Sequence, residues 1–505
     1  MSYLELLGRV APEMIMVITA LAVLAVDLLV MREEPVRNRF LIGTAFAALG
    51  CVAACAWLLV MNLPVAGNGA GELPHTLAGM FVDDALTRLV KVGIITLTLC
   101  ALVISLEGRF TENVGEYISL ILIATAGMML LVSSTNLLMI FISLELTSLS
   151  LYILTAFDKR SIKSAEASLK YFLFGGMSAA FTLFGLSLIY GLAGSTNLSL
   201  IAMHFAGGSS ELDPLLILAI VMTAIGFGFK IAVVPFHLWA PDAYQGAPAS
   251  SAALIASGSK LASFIVFARV MMVGFAHAGG SGAWRHYVAG WLPVLAIFAA
   301  LSMALGNLAA IVQRDVKRLL AYSAVAHAGY ALLGLLANNR QGLGSLIFYM
   351  FTYGLTVVGA FGVVAVVEEN SGDSSLLSFA GLGRREPLIA LCMMVFMLSL
   401  AGIPPLAGFF GKFYLFAAVV GSAPNLGWLW LVIFGIAMSA VSLYYYLQVL
   451  KQIYVVPTPT GPRGMPTPVS SKLILCALAL GVVVLGCAPQ LLLGRLLASI
   501  QGSGF

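Results

Sequence analysis

The chain has 505 residues, of which 61% are hydrophobic and only 10% charged, and its mean hydropathy is +1.02. Soluble domains carry roughly 25% charged residues, so this composition excludes a soluble enzyme and predicts an all-α polytopic protein of the lipid bilayer. The formal charge of +4 resides mostly in connections at span ends, where orientation explains it and no nucleic-acid partner is implied.

The six cysteines (Cys51, Cys55, Cys100, Cys392, Cys476 and Cys487) lie almost entirely in apolar runs without CxxC spacing. They read as small buried hydrophobes, with no metal site and no disulfide framework. The start, MSYLELLGRVAPE, lacks a basic region followed by a small-residue cleavage site, so no removable signal peptide is expected.

A helix needs about 20 apolar residues to cross the hydrocarbon. In chain order such runs predict about fourteen spans, near 11–31, 40–62, 86–106, 117–134, 136–157, 168–191, 214–234, 248–275, 291–311, 318–337, 343–368, 387–420, 426–453 and 471–497. The stretch 197–207 is too short to cross and is expected along the interface or over a loop. The whole chain, 1–505, reads as one integral membrane domain. Within it come three N-terminal helices (1–106), two five-helix units (117–275 and 291–453) and a C-terminal helix (471–497).

Connections after odd-numbered spans carry Arg32, Arg37 and Arg39, then Arg109, then Lys159, Arg160 and Lys163, then Arg314, Lys317 and Arg318, then Arg384 and Arg385, then Arg463 and Lys472. Those after even-numbered spans carry little beyond Arg285 and Arg340, with Arg88 and Lys91 as the main exception. Positive residues stay in the cytoplasm, so the odd loops are expected there and both termini on the periplasmic side.

Inside the spans a short series of titratable residues remains: Glu145, Lys230, Lys260, His327 and Lys412. Each charge at a helix centre costs about 2.5 to 3.5 kcal/mol to insert, and such residues mark ion pathways or proton relays. The competing reading, structural ion pairs or snorkelling side chains, suits one of them better than the set. Their helices are also interrupted. The seventh span runs GFGFKIAVVP into Pro235, and the twelfth reads LAGIPPLAGFFGK, with Gly402, Pro404 and Pro405 ahead of Lys412. Irregular backbone at membrane depth persists only where protein or water satisfies it.

GFGFK ends at 230 and GFFGK at 412, an offset of 182 that also carries Glu145 onto His327. Units of five helices re-enter from opposite sides, so two such repeats would be inverted. Charged lysine has no lone pair with which to hold Na⁺, whereas a buried lysine exchanges its proton readily. Protons are therefore the expected cargo, with Glu145 and Lys230 as a switchable pair and His237 and His327 as candidate relays near neutral pH. Glu13 and Asp27 are expected to be structural, Asp242 to cap or tie the loop beneath the broken helix, and Tyr444, Tyr445 and Tyr446 to be packing or interface residues. No phosphate loop, CxxC pair or haem signature is present, so no redox centre is expected in the chain.

PFHLWAPDAYQGAP, the following SGSK at 257–260, LAGIPPLAGFFGKFYLF and the Glu145 segment closely resemble the antiporter-like membrane-subunit family of NADH-quinone oxidoreductase (respiratory complex I), in particular its subunit N branch. That wider family includes the complex I subunits L and M and the Mrp cation/proton antiporters. The resemblance implies proton translocation in a bacterial cell inner (plasma) membrane, driven by electron transfer from NADH to quinone in other subunits. FMN, iron-sulfur clusters and quinone would belong to those partners, which include subunit M and the small membrane subunits. It also implies that Glu145 pairs with the broken-helix Lys230, that Lys260 is the central lysine and that Lys412 serves the second half-channel. Gln245 stands where the family usually has Glu, and Ala249, Ser250 and Ser251 replace Thr-Pro-Val, which puts the loop's contacts in question. An Mrp-type Na⁺/H⁺ antiporter subunit and a non-pumping scaffold are the alternatives.

Overall fold

In hydrocarbon only a helix satisfies the backbone of a single apolar run, and the computed structural model folds these runs accordingly. It describes residues 3–61, 75–77, 79–106, 108, 110–206, 213–284, 286–457, 465, 467–503 and 505. Thirteen helices among them are long and apolar enough to cross a membrane, which makes the chain a multi-pass membrane protein.

The helices are α1 (Tyr3–Leu29), α2 (Val36–Met61), α3 (Ala85–Ser105), α4 (Val114–Ser133), α5 (Leu137–Thr155) and α6 (Ile162–Ala193). Then come the short α7 (Leu198–Ala206), α8 (Pro214–Ile231), the eight-residue α9 (Trp239–Gly246) and α10 (Ala249–Gly274). The second part has α11 (Trp291–Ile311), α12 (Val316–Leu336), α13 (Arg340–Ser371), α14 (Pro387–Ala401), α15 (Ala407–Val420), α16 (Leu429–Tyr454), α17 (Val469–Cys487) and α18 (Gln490–Gln501). Two small antiparallel ribbons, His75–Leu77 with Phe81–Asp83 and Ser281–Ala283 with His286–Val288, sit in connections.

Two spans differ from the sequence expectation. The twelfth is not continuous: α14 stops at Ala401 and α15 begins at Ala407, so thirteen long helices and one divided one account for the fourteen runs. The last span was expected to reach 497, but α17 ends at Cys487, and the chain turns at Pro489 into the amphipathic α18. Proline cannot supply the N–H that would continue the helix. Arg109 and Arg463, used in the orientation argument, and Arg285 lie outside the described residues.

Burial sorts the helices into an inner group and a rim. In their most apolar windows α10 and α12 bury 94% of residues and α13 89%, against 33% for α1, α2, α6, α16 and α17. The innermost helices thus include those that carry Lys260 and His327, where lipid cannot reach a charge.

A hydrogen-bond motif occurs twice. The Leu137 N–H donates to the Thr196 carbonyl (2.8 Å) and that of Leu198 to Thr135 (3.0 Å); Val316 donates to Ser374 (2.9 Å) and Leu376 to Arg314 (2.9 Å). Enclosed by these, α6 and α13 each have 32 residues, a side-chain N-cap (Ser161, Asn339) and a left-handed glycine at the end (Gly194, Gly372). α8 and α14 both begin on proline, and both end on a left-handed residue, Ala232 and Gly402. These correspondences are 178 or 179 positions apart up to the ends of α6 and α13, and 170 apart at the left-handed residues, rather than 182 throughout. On that register Glu145 matches Ala324 and Lys230 matches Leu400.

Ion pairs between connections separate two faces. Arg39 pairs with Asp27 (2.5 Å), Arg160 with Glu112 (2.7 Å), Lys317 with Glu368 (2.7 Å) and Lys472 with Glu386 (3.2 Å), all on the face of the odd-numbered connections. On the opposite face Arg88 pairs with Asp83 (2.7 Å) and the buried Lys91 with Glu13 (2.6 Å). Asp27 also accepts from the Gly115 N–H (2.9 Å), so Glu13 and Asp27 both serve the packing of α1.

Candidate functional site

Lys230 is in the last turn of α8, which closes at the left-handed Ala232 (φ 59°). Its Nζ is 3.6 Å from Glu145 Oε1 on α5 and donates a shorter hydrogen bond to Ser148 Oγ, one helical turn beyond Glu145. Ser148 passes its own hydrogen to the Leu144 carbonyl (2.5 Å). The rings of Phe229 and Tyr152 lie 5.7 and 5.9 Å from the ammonium. The carboxylate is therefore near but displaced, with a serine in the closer position.

Lys260 follows a π-helical turn, Ile255–Ser259, inside α10. Such turns widen the helix and recur at functional sites. Its Nζ donates to the Ala324 carbonyl on α12 (2.7 Å) and makes no ion pair among the described residues.

Lys412 owes its acceptors to the break. A helix leaves its last carbonyls unbonded and carries partial negative charge there. Lys412 reaches back from α15 to two such carbonyls of α14, Leu400 (3.0 Å) and Ala401 (3.1 Å), and to Ser439 Oγ (2.8 Å). The Tyr330 ring lies 4.9 Å beneath it. The positions that match Glu145 and Lys230 in the second half, Ala324 and Leu400, thus supply the carbonyls that hold Lys260 and Lys412.

His327 lies one turn along α12 from Ala324. Its Nδ1 meets Tyr349 Oη (2.6 Å), its Nε2 meets Tyr446 Oη (3.1 Å), and Tyr446 bonds Ser323 (2.5 Å). A hydroxyl both donates and accepts, so the pair of tyrosines accommodates either tautomer. Beside them Tyr445 donates to Asn307 (2.9 Å), whose amide donates to Tyr330 (3.2 Å).

The structure thus gathers Lys260, His327 and Lys412 around one tyrosine-lined cluster, and brings Glu145 and Lys230 together separately. No hydrogen bond joins the two groups among the described residues. His237, half-buried in the segment after α8, is in neither: its Nδ1 has no hydrogen-bond partner, and its ring is 6.4 Å from that of Tyr322. Asp242 ties its loop, accepting from Lys170 (2.8 Å) and Arg318 (2.6 Å).

Sequence reasoning missed the hydroxyl partners. Tyr445 and Tyr446, expected to be packing or interface residues, are buried in the cluster; only Tyr444 is exposed. The available signal was spacing: Tyr330 lies three residues after His327, Ser148 three after Glu145, and Tyr349 and Tyr353 four apart. Arg269, which the sequence series does not include, is buried at the foot of α10 and donates to the Val132 carbonyl (2.6 Å).

A family model described as NADH:quinone oxidoreductase/Mrp antiporter, TM, matches residues 134–441, which include all six candidate residues. The NADH-quinone oxidoreductase subunit N 2 of Acidobacterium capsulatum is 50% identical over 97% of this chain and 98% of its own length. The chain belongs to the subunit N family of NADH-quinone oxidoreductase. This bears out the resemblance carried by the PFHLWAPDAYQGAP and LAGIPPLAGFFGKFYLF motifs. Among solved structures, a chain of respiratory complex I from Thermus thermophilus is 32% identical, has a TM-score of 0.76, and aligns over 97% of this chain and all of its own. A chain of the Mrp complex from Dietzia sp. DQ12-45-1b, at 22% identity and TM-score 0.80 over 97% of both chains, shares the fold alone. Subunit N is thus the more specific kinship.

Proposed function

We propose that the chain is a proton-translocating membrane-arm subunit of NADH-quinone oxidoreductase, coupled to electron transfer from NADH to quinone in other subunits. The observation that carries this reading is the set of three lysines buried in the spans, two of them held by neutral acceptors alone. An ammonium with no counter-ion in a low-dielectric interior is poorly stabilised, so such a group suits alternate loading and release rather than structure.

Glu145 and Lys230 form the input pair: close approach keeps both charged, and separation lets the lysine give up its proton. Lys260, His327 and Lys412 carry the proton onward through the tyrosine cluster. His237 is a candidate relay at the mouth of the broken helix. FMN, iron-sulfur clusters and quinone belong to partner subunits, and the chain's neighbours are subunit M and the small membrane subunits. The basic odd-side face is assigned to the cytoplasm and both termini to the periplasm of a bacterial inner membrane. The twice-used hydrogen-bond motif supports two inverted five-helix repeats within 117–275 and 291–453.

Replacing Lys230 or Glu145 with Ala in the assembled complex, then measuring quinone-coupled proton pumping, tests the reading. Pumping is expected to collapse; wild-type pumping with full assembly would sink it. The Mrp-type fold keeps Na⁺/H⁺ antiport as a second reading, and co-purification decides it: flavin and iron-sulfur subunits support the first, small cation-antiporter subunits the second.

A further inference from the structure

The short helix α9 belongs to neither polar group, yet side-chain hydrogen bonds tie it to three helices, α6, α8 and α12. Its first residue is fixed to the lysine helix: Trp239 Nε1 donates to the Phe229 carbonyl (2.9 Å), next to Lys230. The same indole stacks on Tyr171 of α6, with ring centroids 4.2 Å apart and planes within 2°. One turn on, Asp242 accepts from Lys170 of α6 (2.8 Å) and Arg318 of α12 (2.6 Å), and Arg318 also bonds Gln245 (3.1 Å). At the far end Lys317 donates to the Ala247 carbonyl (3.1 Å) and to Glu368 of α13 (2.7 Å).

Lys317 and Arg318 are consecutive in the first turn of α12, so one turn of that helix grips α9 at its middle and at its far end. At 1.5 Å per residue Ala324 lies about 9 Å further along α12, followed by His327. Through α9, then, the turn of α8 that bears Lys230 is pinned to the helix whose carbonyl holds Lys260. A loop tie would need contacts within the first half only. Here one carboxylate bridges two cations from different halves: Lys170, which also pairs with Glu166 on its own helix (2.6 Å), and Arg318, which has no other ion pair among the described residues.

We propose that Asp242, with Lys170, Arg318 and Lys317, forms an electrostatic clamp that positions Lys230 against the α12 cluster and so couples the two halves of the proton path. Asp242 is a positioning residue: it carries no proton itself. The inference rests on the proton-pumping reading, and the test separates the two.

Asp242→Asn, Asp242→Glu and Arg318→Gln are made in the intact complex, with Lys230→Ala as reference, and proton pumping is normalised to assembled complex. Pumping by Asp242→Asn is expected to fall by about tenfold or more, because Arg318 loses its carboxylate partner while Lys170 keeps Glu166, so the charged link between the halves is broken. Asp242→Glu should recover most of the rate. The Asp242→Asn/Arg318→Gln double variant should be no worse than the poorer single, as expected of groups acting as a unit. Wild-type pumping in Asp242→Asn alongside collapse in Lys230→Ala overturns the clamp and leaves the function standing. Wild-type pumping in Lys230→Ala overturns the function instead. If neither Asp242→Asn nor Arg318→Gln assembles, the contact serves assembly alone, and the clamp is equally overturned.

Discussion

Ser148 shows how much one hydroxyl decides. It occupies the place next to Lys230 that Glu145 would otherwise take, holding the ion pair at 3.6 Å. A hydrogen bond to a charged group contributes roughly 1.5 kcal/mol, about tenfold in an equilibrium, so Ser148→Ala should let the pair close and slow pumping by about that factor. Ser148→Thr keeps the hydroxyl and should retain most of the rate; an alanine variant that pumps normally would remove Ser148 from the path. Asp242 gives a prediction of sign. Burial raises its carboxyl, but the hydrogen bonds from Lys170 and Arg318 outweigh this, and it is held below the usual carboxylate range. A depressed carboxylate contributes above its unfolded value near 3.9 and loses that contribution only as pH falls through its lower folded value. The deficit of Asp242→Asn relative to wild type should therefore be equal at about pH 6 and pH 8; a deficit confined to one of them would mean that the clamp titrates. The five titratable residues inside the spans were legible from the sequence, because in an apolar run each stands out. Their hydroxyl partners were not, because Ser and Tyr are common in spans and only contact separates Tyr446 from the exposed Tyr444.

Among the helices, the interruptions matter more than the lengths. The break between α14 and α15 exposes the Leu400 and Ala401 carbonyls to Lys412, and α17 packs directly on it. A Cβ on Gly486 would stand 2.1 Å from the Pro405 carbonyl oxygen and 2.7 Å from Ala407 N, both backbone atoms that cannot swing aside. Gly486→Ala should therefore displace the break, at roughly the 1 to 3 kcal/mol cost of overpacking, and reduce both thermal stability in detergent and pumping. Gly481, on the same helix with nothing within 4 Å, is the control, and Gly481→Ala should leave both unchanged. The prolines marked both breaks in the sequence, since proline removes a helix hydrogen bond wherever it falls. What they could not mark is the register between the halves: 182 followed from matching lysines, whereas backbone hydrogen bonds set 178 or 179 and then 170. Loop lengths differ between the halves, and one offset cannot absorb that difference.

At the scale of the whole molecule, the N-terminal helices are joined to one another by the buried Glu13–Lys91 pair, and α1 is tied to α4 through Asp27 and Gly115. Lys91→Met leaves Glu13 buried without a counter-ion and is expected to destabilise the protein by about 3 to 5 kcal/mol. Adding Glu13→Gln should recover much of that loss, since neither charge then remains. Thermal unfolding in detergent measures both, and a single variant as stable as wild type would show that the pair is dispensable.

By itself the sequence determined the membrane class, the number of crossings, the two interrupted spans and the titratable series, because hydropathy, proline and isolated charge are local properties of the chain. Only the tertiary structure decided which groups meet. It put Ser148 ahead of Glu145 on Lys230, closed the tyrosines around His327, gave Lys412 its carbonyls and fastened α9 to α12 through Asp242. Most of these contacts form when helices distant in the chain pack side by side, so no window of sequence contains both partners; Lys412 and its carbonyls share one short stretch, and there only the path of the broken backbone brings them together.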